Sequence, residues 1–506
     1  MRKLLRLPIV DKTDSRVSAA NPLPASSGVV GIGIVGIMIV GQTVDPSAKD
    51  ARHINCFKRS VGDDTYCWKR SGMAFSMTVQ VSSTGVALMV WTGQGNGDTL
   101  ITAFGSVSSS IYQTSTLIGT NNSVTTNIGA KATGITETTI NNAPVLYITA
   151  SNNSGWFYDT TISTVIVKIS DAQYPGNVTS LTLAGTGAHL DGYTFQMDTA
   201  GGIWNSDLNT ISSWTATGVI NANLYPDKGV GCIRWRQYII GFGQETIEFF
   251  YNTGNAQGSP LTRIPNMAQR IGAVHADAVV SISDAVFFCG STSQGGLAVY
   301  MYDGQVSRIS PPEIDAVLLL AGASNIKMTT LLDLGLHFVL VKAGTSQYAY
   351  LIEEKFWFIW QSNLGFVRFA GLSTGSPQVV YGVSELITDG KVYTINPVSR
   401  SFQDDGQVYS AKVQTKPIEP GNGAFTSYEE AQIVADVELS TSILDLSWSD
   451  DDYATNSNTR TLNLSTNVPK TSRLGGTKNP RSFSLTHADN TPMRIKELRV
   501  RVNVGR

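Results

Sequence analysis

The residues best equipped for chemistry are acidic, and they fall in short clusters. Asp450-Asp451-Asp452 follows Trp448-Ser449 near the end of the chain. Clustered carboxylates are what a hard cation such as Ca²⁺ takes, yet a triplet on a strand-to-turn edge is equally a solvated turn, and the expectation is no metal. Glu353 and Glu354 beside Lys355, and Glu245 with Glu248, are the other clusters. Glycosidic cleavage needs two carboxylates about 5 to 9 Å apart in a cleft, and no pair stands out for that role. Of the five histidines, His53, His189, His275, His337 and His487, none has i,i+4 ligand spacing or a nucleophile-elbow partner. No Walker A motif occurs, and the glycines from Gly28 to Gly33 lack the helix that a dinucleotide fingerprint requires. The expectation is a protein without catalytic residues or cofactor.

Basic residues concentrate at the other end of the chemistry. Leu498, Val500, Val502 and Val504 alternate with Arg499, Arg501 and Asn503, and Arg494 and Lys496 come just before. Period 2 means a strand with one face packed and one presented. The presented charges serve as edge protection or as a rim to another protein. The functional alternative is contact with nucleic acid, for which Arg499 and Arg501 are the candidates. Ser449, Asp451 and Thr455 also fit part of the Asp-box hairpin of sialidase-like propellers, S-x-D-x-G-x-T-W. Tyr453 stands where that pattern has glycine and Asn456 where it has tryptophan. Cys56, Cys67, Cys232 and Cys289 match no zinc or redox spacing. Cys56 and Cys67 are near enough to bridge across a hairpin, but reduced buried thiols are the expectation.

Positioning these groups falls to strands. Of 506 residues, 15% are charged, against about 25% in an ordinary domain. With 48 glycines and many Ser, Thr and Asn, the composition is that of an all-β protein rich in turns. A formal net charge of −2 excludes a strong nonspecific grip on DNA, which needs many phosphate contacts. From Val145 onward an apolar strand, a polar turn and an aromatic strand recur. The pattern starts at Val145, Tyr193, Tyr238, Val286, His337 and Val379, 42 to 51 residues apart, with a weaker copy near Val86. Periods of about 40 to 50 residues with strand signals mark propeller blades. Six blades are predicted, and seven if the weak copy counts; an elongated sandwich array is the rival. Glu313 to Leu320 is the best short helix.

The predicted boundaries are an N-terminal arm at 1–51, a β-propeller at 52–401, and at 402–506 a C-terminal β domain, separate or supplying strands that close the propeller. In that last part, Gly406 to Thr415 and Ala431 to Leu446 read as strands. The arm holds one strongly apolar run, Gly28 to Gly41. As a helix it would span about 21 Å, short of the roughly 30 Å hydrocarbon core. Its β-branched residues favour strand, packed against a neighbouring subunit or ring protein, and no stable membrane insertion is expected.

Several stretches resemble a known family. They are Arg234-Trp235-Arg236, Glu248-Phe249-Phe250, Ile271-Gly272, Phe287-Phe288, Asp303-Gly304 and Ile309-Ser310. An early Asn55-Cys56-Phe57, then Lys69-Arg70-Ser71-Gly72, and late LSWSDDDYATNSNTRTLNL and LGGTKNPRSFSL segments join them. The chain resembles the packaged-DNA stabilisation proteins of podoviruses, the tail hub of P22-like phages and, more distantly, the T7-like nozzle. The resemblance implies a structural virion protein, assembled in the host cytoplasm as a hexameric ring of the tail below the portal and adaptor. It further implies contacts with tail fibre, needle or spike proteins, retention of packaged DNA, and transient passage of double-stranded DNA during ejection. A glycan-binding or glycan-cleaving propeller remains the alternative, and a bacterial surface propeller a more distant one.

Overall fold

A computed structural model describes residues 3–4, 32–36, 52–79, 82–91, 99–115, 126–159, 161–163, 165–225, 227–282, 284–291, 295–372, 378–420 and 423–505. Among these, strands dominate, and the one α-helix, Pro312–Ala321, covers the predicted segment. No helix of the described residues is long and apolar enough to cross a membrane. The chain divides into two compact units that interleave along the sequence. One comprises residues 73–347 and 364–400; the other comprises 1–72, 348–363 and 401–506. Residues 52–72, assigned by their position to the propeller, thus cluster with the C-terminal residues.

The first unit is the propeller. Its sheets, most of them four-stranded, follow one another in chain order, each with one of its earliest strands innermost. The innermost strands are Gly85–Trp91, Ala132–Ile140, Leu183–Leu190, Gly229–Trp235, Val279–Ile282, Ile326–Asp333 and Val367–Leu372. Successive blades pack against each other, and Val367–Leu372 returns to touch Gly85–Trp91, so the ring closes at seven. The weak copy near Val86 is therefore a genuine blade. Its fourth strand is the two-residue Thr126–Asn127. At the sixth position this unit holds the hairpin of Ile326–Asp333 with Leu336–Ala343.

Closure of the ring uses the earliest strand of the unit. Ala74–Thr78 pairs with Lys391–Ile395 and becomes the outermost strand of the seventh blade, so that blade is assembled from both ends of the unit. Aromatic and aliphatic side chains fill the seams. Phe242, Phe249, Phe288 and Tyr302 lock the fourth blade to the fifth, and Tyr147, Tyr174, Ile211 and Trp214 the second to the third. Near the axis large side chains do not fit. A Cβ placed on Gly134 would lie 1.7 Å from Thr186 Cγ2 of the next blade, and one on Gly85 would lie 2.4 Å from Val383 Cβ. Both glycines sit where the innermost strand bulges out of register, which lets two backbones approach.

The second unit is a two-layer sandwich. One layer joins Cys56–Val61, Asp64–Lys69, Thr426–Ala435, Lys470–Thr477 and Arg494–Val504. The other joins Phe356–Ile359, His53–Ile54, Ala411–Gln414, Ser482–His487, Ile443–Ser449 and Arg460–Asn463. Tyr428, Ile433, Leu498, Val500 and Val502 from the first layer meet Val413, Leu446, Trp448, Phe483 and Leu485 from the second. The predicted strand from Ala431 to Leu446 is two strands, because a loop carrying the exposed Leu439 interrupts it. Within the apolar run, Ile32–Gly36 is a strand, as its β-branched residues require. It pairs antiparallel with Arg499–Asn503 of its own chain, so its described partner is intramolecular. The rest of that run lies outside the described residues.

The seam geometry makes a testable demand. Gly134→Ala is expected to destabilise the propeller by about 1–3 kcal/mol through overpacking against Thr186, read as a lowered midpoint in chemical denaturation. An unchanged midpoint would show that the two blades tolerate separation.

Candidate functional site

Three places gather charged residues, and each is built differently. The first is the face of the last strand. Arg494–Val504 buries Ile495, Leu498, Val500 and Val502 and presents Arg494, Lys496, Arg499 and Arg501 opposite. The predicted pair is therefore on the outward face, but already engaged. Arg499 Nε donates to Glu497 Oε2 at 2.9 Å, and Arg501 Nη2 stands 3.7 Å from Glu430 Oε1. Lys496 pairs with Asp64 at 2.7 Å and Arg494 with Asp436 at 3.3 Å. The Arg494 and Arg59 guanidiniums both lie over the Trp68 ring, at 4.3 and 4.2 Å from its centroid. The pairs of Arg494, Lys496 and Arg501 are open to solvent and contribute about 0–1 kcal/mol each, so these cations can exchange a carboxylate for a phosphate at little cost, whereas Arg499 holds the buried Glu497 and is committed to it. Trp68 and Arg59 join the site only because Asp64–Lys69 pairs with the last strand at Trp68 and Cys67, which no local sequence signal announces.

The second is a buried knot in the sandwich. Arg70 is 2% exposed and Asp404 is fully buried; the guanidinium donates to both carboxylate oxygens, at 3.1 and 2.6 Å. Arg70 Nε donates to Asn55 Oδ1 at 3.0 Å, and the remaining N–H groups reach the carbonyls of Ser71 and Gln361. The rings of Tyr409 and Trp360 lie against it at 3.8 and 4.3 Å. Burial would depress the Arg70 pKa, but Asp404 outweighs it and raises it. Next to it Lys69 donates to the Asp489 carbonyl at 2.7 Å and sits 3.4 Å from His487 Nδ1. Burial, aided by the Arg70 charge, pulls Lys69 down to about 7. His487 Nε2 bonds Ser442 Oγ at 2.9 Å. Burial and the Lys69 charge push His487 down to about 4, and burial alone does the same to His53. Gly72 completes the run, since a Cβ there would meet the Gln403 carbonyl at 2.3 Å.

The third lies at one end of the propeller axis, where the innermost strands begin. The short turn Ala276–Ala278 ahead of the fifth inner strand touches the innermost strands of the third and sixth blades. Asp277 on this turn pairs with Arg368 of the seventh blade at 3.1 Å. Arg368 also bonds Glu385, which Lys327 of the sixth blade joins. Burial would raise the Asp277 carboxyl, yet Arg368, Lys327, His275 and Lys131 hold it below its ordinary value. Lys131 belongs to the second blade, so this charge acts across the axis. The turn and its ion pairs thus link the third, fifth, sixth and seventh blades at that end of the ring.

The acidic clusters have structural occupations. Ser449 Oγ and the Thr455 N–H and hydroxyl all donate to Asp451, at 2.7, 2.8 and 2.6 Å, holding its carboxyl down to about 2. Asp450 is clamped by Arg481 at 2.6 and 2.7 Å. Glu354 accepts from Ser60, and the buried Glu248 accepts from the Leu224 N–H and pairs with Arg263 at 2.7 Å. Asp159, Asp198, Asp227 and Asp389 each cap a turn in the propeller, and Asp207 accepts from the Ser213 and Thr215 hydroxyls. Among the described residues no group of three or more His, Cys, Asp or Glu is placed to hold a metal ion.

A family model described as Bacteriophage P22 Gp10, beta-propeller, matches residues 111–371. No curated protein matches the chain. Among solved structures, a chain of "Crystal Structure of Mitotic Checkpoint Complex" superposes with a TM-score of 0.36 at 10% identity, over 63% of this chain and 97% of that one; at that level the likeness carries no argument.

Two predictions follow from the knot. Arg70→Ala leaves Asp404 buried and unpaired, and is expected to cost the sandwich about 3–5 kcal/mol, whereas Arg70→Met with Asp404→Leu costs far less; denaturant titration of both variants checks this. The histidines set a pH dependence. Their folded pKa values near 4 lie below the ordinary 6.5, so the unfolded chain takes up protons first. Stability is then full above about pH 6.5 and lost as pH falls toward 4, by about 2 kcal/mol per histidine between 6.5 and 5. Calorimetry across that range should show the fall, reduced in His487→Gln.

Proposed function

The chain belongs to the P22 Gp10 phage-stabilisation family of β-propellers, phage structural proteins that stabilise packaged DNA, and from that premise we propose that it is the tail hub or nozzle of a short-tailed phage. In this reading, copies close into a six-membered ring beneath the portal and adaptor, retain the packaged genome, and form the channel through which it leaves. The family match across most of the propeller is the observation that carries the proposal.

Other features support it. An axis end where the Ala276–Ala278 turn and its ion pairs tie blades together suits a propeller that acts as a wall, with the path for DNA running between copies. The outward face, where Arg494, Lys496 and Arg501 are pre-paired with carboxylates, suits weak and exchangeable phosphate contact. A sliding genome requires that, because each neutralised phosphate adds affinity through counterion release. The carboxylates committed to turns and ion pairs leave the glycan-cleaving alternative without a free acid pair among the described clusters.

Reconstruction of the virion tests placement and symmetry together: a six-fold ring below the adaptor is expected, and another symmetry there overturns the hub reading. Changing Arg499 and Arg501 to Ser tests the channel face. Genome release should slow or leak while particle yield stays unchanged. A variant that fails to assemble assigns these arginines to a protein interface, and unaltered release kinetics remove them from the channel.

A further inference from the structure

Two cysteines lie together in the sandwich core, in a hairpin that also carries the knot residue Lys69. Cys56 on Cys56–Val61 and Cys67 on Asp64–Lys69 sit on the same face of the hairpin, diagonal to each other, because Cys56 pairs with Lys69 and Cys67 with Lys58. Both are fully buried and belong to one apolar cluster. Cys56 Sγ donates to the Lys412 carbonyl at 3.3 Å, and the Cys67 thiol adds to burial in raising the Cys56 pKa. Both are free thiols. The other two cysteines have no such neighbour: Cys232 donates weakly to the Phe195 carbonyl, and Cys289 stands on a different blade.

We propose that Cys56 and Cys67 are a latent covalent cross-link, a disulfide that forms between the two sulfurs when the protein passes from reducing to oxidising surroundings. The oxidant class is a small disulfide such as oxidised glutathione. One cysteine, as thiolate, attacks a sulfur of the small disulfide and displaces one small thiolate. The second cysteine attacks the resulting mixed disulfide and displaces the other. Two protein S–H bonds are lost, one S–S bond forms, two protons leave, and the small disulfide is reduced to two thiols. Exchange of this kind requires thiolate and access. Burial in the apolar core raises the Cys56 pKa, so reaction proceeds through opening of the hairpin and is slow. The bond closes a short loop within one layer and ties both strands of the hairpin beside the Arg70 knot. The occasion for oxidation, existence outside the cell, rests on the virion reading; the chemistry does not.

The test uses the purified full-length chain incubated with oxidised glutathione, then alkylated under denaturing conditions and mapped by mass spectrometry. The expected result is loss of two alkylatable thiols, a peptide linking Cys56 to Cys67, and Cys232 and Cys289 fully alkylated. The sandwich midpoint should rise by about 5 °C on oxidation and return with reductant. Cys67→Ser should abolish both the link and the rise; if that variant does not fold, the wild-type map decides alone. Four free thiols after prolonged incubation, also with the sandwich loosened by mild denaturant, would overturn the proposal, as would a link involving Cys232 or Cys289. Released particles mapped in parallel separate the two readings: a link in the purified chain but thiols in particles counts against the oxidising occasion, and leaves the pair's chemistry intact.

Discussion

The sandwich depends on one buried guanidinium. Arg70 reaches Asn55, Ser71, Gln361 and Asp404, and is held between Trp360 and Tyr409. Those partners come from three stretches of chain that the sequence keeps far apart. Every donor of the planar fork has an acceptor, which is the condition under which a buried charge is tolerated at all. Asn55 completes the arrangement. Its φ of 54° places it in the left-handed region, between His53–Ile54 in one layer and Cys56–Val61 in the other. The side chain that makes this conformation cheap for asparagine also anchors Arg70, so the step between layers and the ionic knot are one construction.

This explains why two short motifs stood out without any chemistry to justify them. Asn55-Cys56-Phe57 and Lys69-Arg70-Ser71-Gly72 meet at the knot, and their letters answer to packing. Arg70 supplies the fork, Gly72 lets the chain pass the Gln403 carbonyl, and Lys69 reaches His487 and Asp489. Nothing in the sequence near these residues names Asp404, because the pairing spans 334 positions. The propeller was far more legible. Its blades are local repeats whose strands neighbour in sequence, so periodicity reports them directly. The strands that escaped were those that pair over long distances, such as Ala74–Thr78 closing the seventh blade. The same limit applies to the basic face: alternation revealed Arg499 and Arg501, whereas Arg59, Trp68 and the carboxylates that pair the arginines came from other strands.

Low overall charge takes on a specific meaning in this architecture. The acidic side chains are few, and most of the conspicuous ones cap turns or clamp arginines. A carboxylate accepting two or three N–H and O–H bonds is stabilised as an anion and is poorly suited to shuttle protons. The partial Asp box illustrates the point. Tyr453, at positive φ, replaces the glycine of that pattern, and its hydroxyl bonds the Thr415 and Phe483 carbonyls, so the turn is fastened to the sandwich.

The closing strand has a consequence for how the molecule comes into being. Thr78 finds its partner Lys391 only after about 300 further residues have been made, and the sandwich needs still later strands, up to Arg494–Val504. On the ribosome, the early blades can form hairpins as they emerge, but the ring stays open and its first strand waits unpaired. Contacts of such sequence separation are slow to establish, because loop closure precedes any reward from packing. The propeller therefore stays open until Lys391 has been made, and the sandwich until its late strands follow, so an open intermediate with bare sheet edges is an obligatory stage of its biogenesis. A host that crowds these chains together would favour pairing between copies at that stage, so the last blade is where the yield of native protein is decided.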